Sequence, residues 1–473
     1  MSLSLFALWL TLTPLSCLSQ TTLSIPSKTS ASVSSIESPA VFAIPSSSST
    51  LHLSVVLCTS TQPPPRFFLN NGTNIPPPGT ETSGAELVLK GGLAQWTGTG
   101  PATLLARAGR GGSGNQTRLF QIGISAEEQI FDVDTRPPHL GDTTANQALI
   151  FSPPFQSIPF DEPTYPKYVL PPANITSSNS TQPPPQTLLV FQTANISPAL
   201  AQVSQSACGI TEVPGNLLSS GDHPLNTTTV LRDYTDYRTQ WLFEKLTPST
   251  NYTAYVVTNN SVLSGPLFFV TKSSNFSCPL VHSVPFCPSV TYAVPLPQPP
   301  TGATSYAADT VPSNITSPLL SSLSNFTTSL LTFACGRDIY SPLQTCASCQ
   351  RAYRSWLCAV SFPRCGEPPQ PTQPSGNGGV PPPLAPALIT GNSPRALTLP
   401  LEQNFTELLP CVEMCHEVAR ACPSFLQWRC PSNKVNAADS YGIGYVDSLD
   451  HDQGQGWTGI PQDSYGNVWC NFA

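Results

Sequence analysis

Leu51, Leu53, Val55 and Leu57 are interleaved with His52, Ser54 and Val56, the two-residue period of a strand that buries one face. Glu86-Leu87-Val88-Leu89 and Leu119-Phe120-Gln121-Ile122 are runs of the same kind. Pro76-Pro77-Pro78-Gly79 and Gly109-Arg110-Gly111-Gly112 separate them as turns do. The pattern predicts an antiparallel β-sandwich over residues 20–140. Leu149-Ile150-Phe151 and Leu188-Leu189-Val190-Phe191 predict a second β unit over 141–277. The proline-rich stretch from Asp161 to Pro185 reads as a long loop inserted between its strands. Residues 278–334 are rich in Pro, Ser and Thr, which predicts a decorated connector.

The spacing changes at residue 335. Tyr353, Trp356, Leu357 and Val360 recur at three- and four-residue intervals, so the segment from Cys349 to Val360 reads as a helix with an apolar stripe. Offsets of four and eleven residues would bring Cys411, Cys415 and Cys422 within about 40° of one another on a second helix. Upstream, Leu246-x-Pro248-x-Thr250-x-Tyr252 precedes an alternating run to Val257. It resembles the corner of a fibronectin type III sandwich, where a tyrosine hydroxyl bonds back to the backbone. An ordinary hairpin with a buried tyrosine is the alternative.

Composition adds the compartment. Of 473 residues 39% are apolar and only 10% charged, so something other than Lys and Glu must hydrate the surface. Asn-x-Ser/Thr acceptors stand at Asn71, Asn115, Asn174, Asn179, Asn195, Asn226, Asn251, Asn259, Asn275, Asn314, Asn325 and Asn404. Random placement would give roughly four or five such sites, so the excess points to the secretory pathway. Leu5 to Leu12 form a short apolar stretch, followed by Pro14 and Cys17-Leu18-Ser19, the layout of a signal peptide over residues 1–19. A retained signal anchor is the alternative, but the stretch is too short for a hydrocarbon core of roughly 30 Å. No later stretch is apolar for long enough to span one, so membrane association is expected through a partner. A net charge of −7 argues against nucleic acid or anionic lipid as ligand.

Removing Cys17 with the signal leaves fourteen of the fifteen cysteines, an even number suited to full pairing in an oxidising compartment. Cys278 and Cys287 precede the dense cluster of Cys335, Cys346, Cys349, Cys358, Cys365, Cys411, Cys415, Cys422, Cys430 and Cys470, all expected in disulfides. Cys346-x-x-Cys349 has the spacing of a redox pair or half a zinc site, but the first wants a preceding strand and the second reducing conditions. His416 follows Cys415, yet neighbouring helix positions point about 100° apart and no second histidine completes a zinc-protease helix. Asp447 to Gly454 fails the calcium-loop pattern, because Gly454 and Pro461 occupy ligand positions. The six histidines pair with no nucleophile, and phosphate loops and nucleophile elbows are absent. The expected protein is not an enzyme and carries no cofactor.

Tyr353 to Cys365 (YRSWLCAVSFPRC), followed by Leu409 to Pro423 (LPCVEMCHEVARACP), resembles the frizzled-type cysteine-rich domain. Together with Cys278 to Pro295 (CPLVHSVPFCPSVTYAVP) and a glycosylated β-rich amino-terminal half, the chain is similar to the fungal stretch-activated calcium-channel components. The likeness is specific from Cys278 to Cys470 and only architectural before that. One departure is the Pro/Gly-rich insert 366–400, read as a disordered surface loop. The resemblance implies amino-terminal β-sandwich units followed by a disulfide-rich, mainly helical, frizzled-like domain over 335–473. It also implies an extracellular auxiliary subunit acting in calcium influx with a large four-repeat pore protein, comparable to cysteine-rich subunits on the outer face of an animal sodium-leak channel. Trp356, Phe425 and Trp428 are the expected anchors for such a partner. The alternatives are a surface protein that binds lipid or another ligand, as frizzled-type domains do, and a cell-wall adhesion protein.

Overall fold

The structure is a computed structural model that describes residues 20–34, 39–60, 62–72, 84–109, 117–158, 169–174, 182–232, 236–367, 387–389, 405–432, 437–447, 457–460, 468 and 470–472. The expected signal peptide, most of the insert 366–400 and most of the acidic stretch 447–454 lie outside them.

The alternating run becomes strand Leu51–Leu57, paired antiparallel with Arg118–Ser125 on one side and Leu93–Gly98 on the other. Ser27–Val33 completes this four-stranded sheet. A five-stranded sheet runs in the order 20–22, 40–44, 102–107, 66–71, 85–87. The core holds Leu51, Leu53, Val55, Leu104 and Ile122, and the Phe120 ring meets Phe67 at 5.0 Å and Phe42 at 6.1 Å, both edge to face. This compact unit covers residues up to 133 together with 197–214 and 260–263. The middle segment, which the sequence pattern assigns to the second β unit, carries two short helices, α1 (Leu200–Val203) and α2 (Ala207–Thr211). Its attachment is covalent, through Cys58–Cys208, and Ser206 Oγ donates to the Leu57 carbonyl at 2.6 Å.

The second unit covers 134–196, 215–259 and 264–473. Strands Ala148–Phe151 and Asp236–Phe243 pair antiparallel at the centre of one sheet, and Gln186–Gln192 pairs with Asn251–Thr258 in another. Ile150, Trp241, Phe243, Val190, Tyr252 and Phe269 form the core between them. Leu149, Phe151 and Leu242 point to the opposite face of their sheet, as strand geometry requires, and they are buried too. The corner motif is present: the Thr247 N–H donates to the Tyr252 hydroxyl at 2.9 Å, and the ring stacks on Phe269.

What covers that opposite face corrects the predicted organisation. Cys278, Leu280, Ala293, Cys365 and Phe405 pack there, so the cysteine-rich segment and the second sandwich share one core. Residues 278–334 are no connector. Val281, Val284, Phe286, Val290, Tyr292 and Val294 are all buried, and Ser313–Leu330 is an 18-residue helix, α3. Its Ile315, Leu319 and Leu323 face the core while Asn314, Ser321 and Asn325 face solvent, so a polar composition conceals an amphipathic helix.

The described chain as a whole is mostly β-sheet with few helices, and the cysteine-rich part sets short strands beside its helices. The helical spacing is realised in α4 (Cys346–Ser361) and α5 (Val412–Ala421). Between them Arg364–Gly366 and Ala387–Ile389 pair antiparallel on either side of Phe405–Leu408. Gly366 and Ala387–Ile389 of the expected disordered insert therefore lie in strands. The expected shared face of Cys411, Cys415 and Cys422 is not formed, because only Cys415 lies inside α5 and the other two are its extended caps.

Candidate partner-binding surface

Helix α4 begins where Thr345 Oγ1 accepts from the Ser348 N–H at 3.2 Å, the usual way of satisfying an orphan donor. Its inner face presents Cys346, Cys349, Ala352, Cys358 and Ala359. In α5, Glu413 in the first turn and Arg420 in the last complement the helix dipole. The bridges run Cys278–Cys365, Cys287–Cys358, Cys335–Cys346, Cys349–Cys422, Cys411–Cys470 and Cys415–Cys430. With Cys58–Cys208 they consume all fourteen cysteines outside residues 1–19. Cys346 and Cys349 have different partners, so they form neither a redox pair nor a zinc site. Glu413 lies near Cys411 and Cys470, but both sulfurs are bonded to each other and hold no ligand position open. His416 is exposed.

The three expected anchors separate. Trp356 and Trp428 meet at 4.6 Å in an edge-to-face pair, and Trp356 Nε1 donates to the Tyr441 hydroxyl at 2.8 Å. Both are half-buried and pack against the helices. Phe425 is 47% exposed and stacks on Phe333 at 6.1 Å. Phe333 in turn meets Tyr340, in the loop closed by Cys335–Cys346, whose hydroxyl donates to the Ala421 carbonyl at 2.6 Å. That loop projects Ile339 and Leu343, each 85% exposed, the most exposed of the large apolar side chains described. Sequence reasoning missed both, because ten residues between two cysteines carry no period. The signal available was two isolated aliphatics inside a short bridged loop.

A buried charge cluster sits where strand Arg364–Gly366 meets the second sandwich. Asp142 accepts from Lys272 Nζ at 2.7 Å, from Arg364 Nε at 3.1 Å and from the Ala293 N–H at 3.2 Å. Burial alone would raise the Asp142 pKa, but Arg364 and Lys272 outweigh it and leave the carboxyl below its ordinary value. His139 stands at the exposed end of its strand, where loss of hydration and the nearby Arg232, Arg238 and Arg364 lower it to about 3, and burial lowers His282 to about 4.

Nine acceptor asparagines fall within the described residues: Asn71, Asn174, Asn195, Asn226, Asn251, Asn259, Asn275, Asn314 and Asn325. All are exposed. Asn70, Asn216 and Asn471, outside the acceptor pattern, are half-buried or buried. Asn115, Asn179 and Asn404 lie outside the described residues. Among the described residues no helix is long and apolar enough to cross a membrane.

Residues 59–456 match the family model described as the stretch-activated Ca2+-permeable channel component, Mid1. The chain belongs to the Mid1 family. The stretch-activated cation channel MID1 of Cryptococcus neoformans is 35% identical over 398 residues, covering 76% of this chain and 63% of that protein. The MID1 protein of Saccharomyces cerevisiae is 26% identical over 66% of this chain and 58% of its own length. The stretch-activated cation channel yam8 of Schizosaccharomyces pombe is 29% identical over 43% of this chain and 40% of its own. The alignments thus span about two thirds or less of each relative.

Proposed function

We propose that this chain is an extracellular auxiliary subunit of a calcium-permeable, stretch-activated channel, docked through its cysteine-rich part on the outer face of a large four-repeat pore subunit. Entry through the secretory pathway is supported by the complete pairing of fourteen cysteines, a state that a reducing cytosol does not maintain. The exposed acceptor asparagines support the same route, with glycans hydrating a surface poor in charge. Family membership supplies the channel, and the exposed Ile339, Leu343 and Phe425 supply the contact. They stand on a covalently closed loop and its neighbour, so binding orders little chain, which favours affinity. Acceptor asparagines are sparse there: after Asn325 only Asn404 follows in the sequence. The single observation that carries the docking is the 85% exposure of Ile339 and Leu343 in a disulfide-closed loop.

The test uses the tagged full chain, gently solubilised from membranes, with Ile339→Asp and Leu343→Asp introduced together. The wild type should co-purify with a pore subunit and support calcium uptake, while the double variant is secreted with its disulfides intact yet loses about tenfold or more in recovered partner. A wild-type chain that brings down no pore subunit, and whose deletion leaves calcium uptake unchanged, refutes the reading.

A further inference from the structure

Residues 169–174, Val-Leu-Pro-Pro-Ala-Asn, belong to no helix or strand, yet they are pinned against α3 and α4. Leu170 is 6% exposed and packs among Leu330, Ala347, Ala352 and Val418. Three successive carbonyls are then gripped by two side chains one helical turn apart. Gln350 Nε2 donates to Pro171 O at 2.8 Å, and Arg354 donates to Pro172 O at 2.8 Å and to Ala173 O at 2.7 Å. Gln350 also donates to Thr327 Oγ1 of α3 at 2.8 Å, which fixes its amide, and Arg354 also donates to the Phe286 carbonyl at 3.1 Å. Both side chains are nearly inaccessible, at 3% and 2% exposure. Val169 at 77% and Asn174 stay in water, so only one edge of the segment is read.

A guanidinium stays charged when buried and needs acceptors for its planar fork of donors. Consecutive carbonyls of an extended chain meet that need, and prolines keep the chain extended while offering no N–H of their own. We propose that the seat on α3 and α4 is a recognition site for an extended peptide bearing an aliphatic residue before two prolines. Here the chain's own residues 169–174 occupy it as a tethered ligand, and a segment of the same chemistry from another protein can take the seat when the tether yields. One aliphatic anchor and the carbonyl contacts of two side chains are a small hold. Tethering keeps the seat filled by raising the local concentration of the segment, and a tethered ligand of that kind is exchangeable.

The experiment uses the full chain and a fluorescent hexapeptide of sequence Val-Leu-Pro-Pro-Ala-Asn, followed by polarisation. Leu170→Asp should free the seat and bind the peptide about tenfold or more tighter than the wild type, and Arg354→Lys added to it should remove most of that gain. Equal binding to wild type and L170D, absence of binding to L170D, or a gain indifferent to R354K each overturns the proposal. A chain lacking its seven disulfides by non-reducing intact mass is set aside in favour of the wild type itself. There, the peptide in excess, with a photoreactive aliphatic residue in place of its leucine, should label α3, α4 or α5, the helices that Leu170 packs against, and labelling elsewhere or not at all also overturns the site.

Discussion

Tyr252 and Asn471 are both single polar side chains set in apolar surroundings, and they differ in how far their partners lie along the chain. The Tyr252 hydroxyl is bonded by a backbone N–H five residues upstream, at 2.9 Å, so the whole corner lies inside one short stretch of sequence and could be read from it. The Tyr252→Phe variant keeps the ring stacked on Phe269 and loses only that bond, which is worth about 1 kcal/mol. Chemical denaturation should show a loss of this size with the disulfides unchanged, and a loss near zero would mean that the bond does not hold the corner. Asn471 is fully buried, and its Nδ2 donates to the Tyr292 hydroxyl and to the Ala359 and Phe362 carbonyls, 179, 112 and 109 residues away. No local pattern marks such a residue. Arg354 and Gln350 were illegible for the same reason, since their carbonyl partners lie about 180 residues upstream of α4.

Among the elements, helix α4 follows its period because it buries one face, whereas strand Leu51–Leu57 is buried on both faces with only His52 half-exposed. The stretch from Val281 to Val294 buries nearly every apolar residue without a regular repeat, so its prolines and serines suggest a solvated connector although the apolar residues between them are core. His139 and His282 lie on either side of this contrast, one on a regular strand and one in the irregular stretch, and both are held neutral. Their folded pKa values, about 3 and about 4, lie below the 6.5 of an unfolded histidine. The unfolded chain therefore takes up protons first as pH falls. For the buried His282, stability is undiminished above pH 6.5 and is lost between 6.5 and about 4, by about 1.4 kcal/mol per pH unit; His139, exposed at its strand end, adds less because solvent screens it. Asp142, whose carboxyl is lowered, contributes stability above the ordinary carboxylate range and loses it only at lower pH, so it does not mask the histidine window. Denaturation midpoints across pH 4 to 7 should show this slope, with His282→Gln removing most of it. A flat profile would mean that His282 is not held neutral.

For the whole molecule, the decisive feature is that the cysteine-rich part does not close its own core. Cys365 is bonded to Cys278 and Cys358 to Cys287, both upstream of residue 335, and Arg364 meets Asp142 of the second sandwich. Leu149, Phe151 and Leu242 in turn need Cys365 and Phe405 to cover them. A fragment of residues 335–473 would begin at the boundary that the change of spacing suggests, yet it would carry two cysteines without their partners and an uncovered apolar face. Each lost bridge costs typically 2 to 5 kcal/mol, and two exceed what a small cysteine-rich core supplies. The secreted fragment should therefore be poorly recovered, with free thiols at Cys358 and Cys365 in a non-reducing mass map, while a chain from residue 134 onward should close all six bridges of this unit. A well-behaved 335–473 fragment with all its thiols paired would mean that the module folds alone. If the two parts do fold as one, any load or ligand acting on the exposed Ile339 and Leu343 is transmitted into the second sandwich through covalent bonds and a buried ion pair. It is not passed through a flexible linker.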